Sequence, residues 1–167
     1  MSNLDEFISR VADFPKAGVT FRDMSPLLRH RFSDAVSAVT SLFSDAEWSK
    51  IDAVAGIESR GFIFASALAA TRNKGLVLIR KPGKTPNATA RATYALEYGS
   101  AELEMQAGSG SILLVDDVLA TGGTLRAAAD LCTTTGYNVF GFAVLVDIKS
   151  LNTFKWNKLI ARSVLDG

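Results

Sequence analysis

Four short apolar runs constrain the fold of this chain more than any other feature: "IDAVAG" (51–56), "GLVLI" (75–79), "SILLV" (111–115) and "VFGFAVLVDI" (139–148). Each reads as a strand, and a weaker fifth, "KLIARSVL", covers 158–165. Between the first two lies "FIFASALAATR" (62–72), apolar nearly all round, which predicts a buried helix. Between the third and fourth lies "TLRAAADLCTTTG" (124–136), which predicts a helix closed by Gly136. A long polar, turn-rich arm separates the second strand from the third, with "TYALE" and "AELEM" as its hairpin strands. Strand, helix, strand, arm, strand, helix, strand is the rhythm of an α/β fold. It calls for a mostly parallel twisted sheet flanked by helices, with right-handed crossovers.

Ahead of this rhythm, Leu4, Phe7, Ile8 and Val11 recur at helical spacing and predict a helix over 3–14. "FPKAG" stops it, "VTFRDMSPLL" reads as irregular, and "SDAVSAVTSLF" (33–43) predicts a helix with Ser33 as its N-cap. At 167 residues, with neither repeats nor linkers, a single domain over 1–167 is expected. A formal net charge of +1 gives no global attraction to nucleic acid or to a membrane surface. The amphipathic, acid-containing N-terminus is unlike a signal or transit peptide, and no apolar run is long enough to span a bilayer, so a cytoplasmic location is expected. The lone cysteine, Cys132, reads as a buried small hydrophobe. The lone histidine, His30, lies between Arg29 and Arg31 on an expected solvated surface, which leaves no His/Cys metal cluster.

Ligands of open α/β sheets bind beyond the C-terminal ends of the strands. Two loops there have unusual chemistry. In "VDDVLATGGT" (115–124) a small-residue loop leads directly into a helix, so free N–H groups and the positive end of the helix dipole meet in the loop. Gly122 and Gly123 permit close approach, and the hydroxyls of Thr121 and Thr124 add donors. This suits a phosphate monoester; a nucleoside triphosphate or dinucleotide is disfavoured, because neither the Walker lysine pattern nor G-x-G-x-x-G occurs. Asp116 and Asp117 need a different target. Either they accept hydrogen bonds from the vicinal hydroxyls of a sugar, or one caps a turn while the other is solvated. "GIESRG" (56–61) has the same strand-to-helix placement, and Arg60 there is either a phosphate fork or half of a surface salt bridge. "RKPGK" places Arg80, Lys81 and Lys84 after "GLVLI", as a solvated basic face or a second polyanion site.

"VDDVLATGGT" resembles the signature of the type I phosphoribosyltransferases. "DFPKAGVTFRDMSPLL", "AGIESRGFIFASALA", "VLIRKPGKTP" and "YALEYGSAELE" resemble, in the same order, segments of the adenine phosphoribosyltransferase family. The resemblance runs from about residue 13 to 147; the tail adds little to it. It implies the type I phosphoribosyltransferase fold with a small hood (about 13–30) and a mobile β-arm (about 84–104). It also implies a glycosyltransferase of purine salvage, usually a homodimer, that converts adenine and 5-phosphoribosyl 1-diphosphate to AMP and diphosphate with Mg²⁺.

The resemblance assigns roles by motif. Ala120, Thr121, Gly122, Gly123 and Thr124 would bind the 5′-phosphate, and Asp116 and Asp117 the ribose hydroxyls. Glu58, Ser59 and Arg60 would form the diphosphate loop, where the family often shows a non-proline cis peptide, expected here at Glu58–Ser59. Arg80 and Lys84 would also reach diphosphate. Phe21 would stack on adenine, with Thr20 and Arg22 supplying polar contacts. Glu97 would manage the proton on the base from the arm, next to Tyr98, and Glu97, Arg60 and Lys84 would be the catalytic set. No metal ligand is assigned to the protein itself, since Mg²⁺ would come mainly through the diphosphate. Three departures stand out: the short "MQAGSGS" connection, Ala17 where proline is common, and Asp147 where glutamate is more usual. Two other readings remain: transfer to hypoxanthine or guanine, and a non-catalytic sensor of activated phosphoribose. The presence of Arg60, Lys84 and Glu97, without an added DNA-binding segment, weighs against the sensor.

Overall fold

In the computed structural model, which describes residues 4–96 and 99–167, two compact units divide the chain, Met1–Ala38 and Val39–Gly167. The first unit departs most from expectation. In place of a helix over 3–14, one 3₁₀ turn forms at Leu4–Phe7 and strand β1 follows at Ser9–Val11. β1 pairs antiparallel with β2 (Phe21–Asp23), setting Arg10 opposite Arg22 and Val11 opposite Phe21. The helical spacing misleads because only its first half is buried: Leu4 and Ile8 are covered while Val11 is exposed. A short segment without a continuous apolar face gains too little packing to remain helical.

The "MSPLL" stretch, expected to be irregular, forms helix α1 (Ser25–His30). Pro26 sits in its first turn, where a missing N–H costs nothing. The Asp23 carboxylate accepts hydrogen bonds from the Ser25 N–H (2.9 Å) and hydroxyl (2.6 Å). Helix α2 (Phe32–Thr40) begins one residue before Ser33, so Ser33 is not its cap. With only Arg31 between the helices, the Arg31 carbonyl accepts from the Ala35 N–H (3.0 Å), the role expected of a residue at the cap. His30 is exposed, its ring 6.4 Å from that of Phe7.

The second unit carries the sheet. Its elements are α3 (Asp45–Trp48), β3 (Ala53–Ile57), α4 (Gly61–Thr71), β4 (Gly75–Ile79), β5 (Ala90–Leu96), β6 (Gly99–Met105), β7 (Gly110–Leu119), α5 (Gly123–Thr134), β8 (Tyr137–Asp147) and β9 (Ala161–Asp166). Five strands pair in parallel in the order β4-β3-β7-β8-β9, as the strand–helix rhythm demands. The central strands are buried on both faces: Ile112, Leu113, Leu114 and Val115 of β7, and Phe142, Ala143, Val144 and Leu145 of β8, have no exposed surface. β5 and β6 form the expected hairpin as a separate antiparallel pair. Helix α4 is less enclosed than expected, since Phe64, Ala65 and Leu68 are buried but Ile63 remains 37% exposed. Helix α5 ends near Gly136, whose φ is +103°. Cys132 is fully buried on α5, and burial pushes its thiol up to about 12, leaving it unreactive.

β7 differs from its expected extent in a way that matters for the site. It continues four residues past Val115, so Asp116 and Asp117 are strand residues, and the loop before α5 shortens to Ala120–Gly122. Parallel pairing with β8 (Asp116 beside Val144, Val118 beside Val146) carries the strand through the acids. Hydrogen bonds from a neighbouring strand outweigh the low strand propensity of aspartate.

Candidate active site

Three connections meet at the C-terminal ends of the parallel strands: Glu58–Arg60 after β3, the turn after β4, and Ala120–Gly122 after β7. The last of these opens α5. Gly122 is the N-cap at φ +87°, and no side chain caps the helix, so the N–H groups of its first turn face the loop. A Cβ on Gly122 would lie 2.7 Å from the Phe154 ring, so glycine is required for both conformation and space. Phe154 is itself wedged in place. Its ring packs edge-to-face on Phe142 at 5.0 Å, its N–H donates to Asn152 Oδ1 (2.9 Å), and the Arg126 guanidinium lies over it at 5.7 Å. Asn152 in turn donates to Asp147 (3.0 Å). Lys149 also pairs with Asp147, at 2.6 Å.

The acidic pair sits one step before this loop. Asp117 is buried and forms an ion pair with Arg60 Nε at 2.7 Å. Asp116 Oδ1 accepts from the Asp117 N–H (2.9 Å), and Asp117 Oδ1 from the Val118 N–H (2.9 Å). Burial, then the neighbouring Asp117 charge, pushes the Asp116 carboxyl well above the ordinary aspartate value. Burial also raises Asp117, with Arg60 pulling the other way. Helix α4 approaches this pair closely because its first residue is glycine: a Cβ on Gly61 would meet the Val115 carbonyl at 2.9 Å and Asp116 Oδ1 at 3.0 Å.

The β3 and β4 connections are tied to each other. The Glu58–Ser59 peptide is cis, as the resemblance implied. The Glu58 carboxylate pairs with Lys84 Nζ at 2.6 Å, accepts from the Lys81 N–H at 2.9 Å, and lies 3.9 Å from Arg80 Nε. Lys84, outweighing burial, holds the Glu58 carboxyl below its ordinary value. The structure therefore brings Glu58, Arg80 and Lys84 together, and Arg60 with Asp117. Ser59 and Thr121 are exposed; Ala120, Gly123 and Thr124 are half-buried. Thr20, Phe21 and Arg22 belong to the first unit, where the Phe21 ring meets Phe14 edge-on at 5.1 Å. Glu97 and Tyr98 lie outside the described residues.

Sequence reasoning passed over two residues here. Glu104 is fully buried beneath the β4 connection, and Phe154 backs the loop before α5. Strand alternation in "AELEM" sets Glu104 opposite Leu103 and Met105, which points it to solvent; no signal in the sequence marks it as buried. Phe154 lies in the tail, where only its aromatic character stands out among polar residues.

An anion loop at a helix start, an acidic strand end and a basic turn together suit a phosphorylated sugar bearing a second polyanion. Residues 27–161 match the model of the phosphoribosyl transferase domain, so the class is that of the phosphoribosyltransferases. The adenine phosphoribosyltransferase of Hydrogenovibrio crunogenus is 51% identical over 163 residues, covering 97% of this chain and 95% of that protein. That of Bdellovibrio bacteriovorus is 51% identical over 156 residues, covering 93% of each. Among solved structures, the adenine phosphoribosyltransferase of Rhodothermus marinus superposes with a TM-score of 0.86 at 35% identity, covering 98% of this chain and 96% of that one. The Saccharomyces cerevisiae enzyme, solved with an imino-altritol bisphosphate and adenine, gives 0.84 at 32% identity, covering 96% and 94%. The chain belongs to the adenine phosphoribosyltransferase family.

Proposed function

We propose that this chain transfers the 5-phosphoribosyl group of 5-phosphoribosyl 1-diphosphate to adenine, releasing AMP and diphosphate, as a step of purine salvage. The bond from C1′ to the diphosphate oxygen breaks with its electron pair leaving on diphosphate. The adenine nitrogen forms the new bond to C1′ and gives up its proton. The observation that carries this reading is the flanking of Asp116 and Asp117 by two anion-suited connections, the α5 loop on one side and Arg60 on the other.

The first-turn N–H groups of α5, with Gly122, Gly123, Thr121 and Thr124, hold the 5′-phosphate. Asp116 and Asp117 accept hydrogen bonds from the ribose hydroxyls. As C1′ loses diphosphate, positive charge builds on the ring, and the two carboxylates stabilise it in a partly buried setting where charge is weakly screened. Arg60, Arg80 and Lys84 receive the departing diphosphate, with Arg60 paired to Asp117 and Lys84 to Glu58 before it binds. Binding of diphosphate exchanges these carboxylate partners for phosphate oxygens. Thr20, Phe21 and Arg22 are assigned to the base, and Glu97 and Tyr98 to the arm, with Glu97 moving the base proton.

Mg²⁺ is part of the proposal. Among the described residues no three His, Cys, Asp or Glu side chains are grouped to cage a metal ion. The hard carboxylate oxygens of Asp116 and Asp117, side by side at the end of β7, fit an ion held mainly through substrate oxygens and water. When bound, Mg²⁺ would neutralise charge on the diphosphate. A homodimer in the cytoplasm is proposed with it, supported by apolar surface left open on edge strand β4, where Leu76 and Leu78 are 45% and 42% exposed. No described helix is long and apolar enough to cross a membrane.

Product stoichiometry tests the reaction. The purified chain with adenine, activated phosphoribose and Mg²⁺ should release AMP and diphosphate in equal amounts. Diphosphate released without AMP would make the chain a hydrolase and overturn the proposal.

A further inference from the structure

The turn that carries Arg80 and Lys84 is built around a buried carboxylate. Glu104, on β6 of the arm hairpin, has no exposed surface. Its Oε1 accepts hydrogen bonds from the N–H groups of Lys84 (2.9 Å) and Thr85 (2.7 Å), and its Oε2 pairs with Arg91 Nε at 3.2 Å. Its backbone pairs with Arg80 in both directions, Arg80 N–H to the Glu104 carbonyl (2.9 Å) and Glu104 N–H to the Arg80 carbonyl (2.8 Å). Arg80 Nη1 closes the turn on the Lys84 carbonyl at 2.6 Å. Burial opposes ionisation of Glu104, yet the N–H groups of Thr85, Gly83 and Lys84 outweigh it and hold the carboxyl below its ordinary value.

A buried charge is costly unless it is fully hydrogen-bonded, and an apolar residue would fill the same space at less cost. Glu104 therefore needs a reason beyond packing, and its partners supply one. The N–H groups it binds fix the backbone at Lys84, and the Lys84 ammonium then reaches Glu58 at the end of β3. We propose that Glu104 is a positioning residue for diphosphate: it folds the 81–85 turn from beneath so that Arg80 and Lys84 stand ready beside the Glu58 connection. The inference rests on the assignment of Arg80 and Lys84 to diphosphate. It also links the arm to the leaving-group site, because Glu104 and Arg91 lie on the two paired strands of the hairpin.

Calorimetric titration of the full chain with inorganic diphosphate in Mg²⁺, and in parallel with AMP, tests this once thermal unfolding has shown each variant to be folded. Glu104→Gln keeps the shape but loses the charge, and should weaken diphosphate by about 10-fold while AMP stays within about twofold. Glu104→Asp keeps the charge but not the reach; it should show the same selective loss, and stands in if the Gln variant does not fold. Lys84→Ala should weaken diphosphate too, and adding Glu104→Gln to it should cost less than the product of the two single losses, because both act through one group. Equal weakening of AMP and diphosphate by Glu104→Gln would make the residue merely structural and overturn the inference. So would unchanged diphosphate binding in Glu104→Gln beside a weakened Lys84→Ala, which leaves the site assignment intact. Unchanged binding in Lys84→Ala would instead overturn the assignment of Lys84 itself, and the inference with it.

Discussion

Asp116 and Asp117 occupy adjacent positions, yet the structure gives them different surroundings. Asp117 faces a guanidinium at 2.7 Å, whereas Asp116 faces burial and the charge of its neighbour. The ligand-free protein therefore bears a cost at Asp116, which in the proposed reaction the developing ribosyl cation would relieve. The sign of that cost can be tested. Because its folded-state value is raised above the ordinary 3.8, ionised Asp116 destabilises the fold at neutral and alkaline pH, and the penalty fades as pH falls toward the ordinary value. Asp116→Asn should raise Tm at pH 8 by roughly 2–4 °C. The gap should close near pH 4, while AMP formation falls by about 100-fold. Thermal melts across pH with a matched turnover assay check this; a lower Tm at pH 8 would contradict it. The placement of these residues was legible in the chain, since two acids before a Gly-Gly-Thr loop at a strand end already mark a strand-to-helix connection suited to an anion. What was not legible is the division of labour, because the pairing of Asp117 with Arg60 joins residues 57 positions apart in sequence.

At the scale of elements, the glycine that opens α5 and the tail that backs it act as one unit. Gly122→Ala forces a Cβ into a left-handed backbone and against Phe154, at a cost of about 1–2 kcal/mol from the backbone alone. It should raise the KM for activated phosphoribose well above that for adenine, as steady-state kinetics with each substrate varied will show; equal changes would remove the loop from phosphate binding. Helix α3 provides an independent check away from the site. Arg162 on β9, followed by the Ser44 N–H, holds Glu47 down to about 2, so this contact stabilises the fold above the ordinary value of 4.5 and is lost as pH falls toward 2. Glu47→Gln should flatten the fall of Tm over that window, and an unchanged slope would contradict the contact. The parallel strands and both long helices could be read from their apolar runs and end signals, because burial against the sheet calls for continuous apolar stretches. The short elements could not. Helix α3 is four residues opened by a Ser44–Glu47 capping box, and β1 exists only because β2 pairs with it. Three- and four-residue elements leave no period to read.

For the molecule as a whole, the strand order β4-β3-β7-β8-β9 places the three functional connections on adjacent strands, so residues spread from 58 to 124 gather at one end of the sheet. The β5–β6 hairpin returns to that end through Glu104, which joins it to the turn after β4. A site built to hydrogen-bond one purine edge leaves polar groups unpaired when offered another, at a discrimination of about 10⁴ or more. The most direct measurement is therefore kcat/KM for adenine, hypoxanthine and guanine with saturating activated phosphoribose and Mg²⁺. Adenine should be preferred by at least about 1,000-fold over either oxopurine. Comparable values for hypoxanthine or guanine, or no nucleotide from adenine, would contradict an adenine-specific transferase.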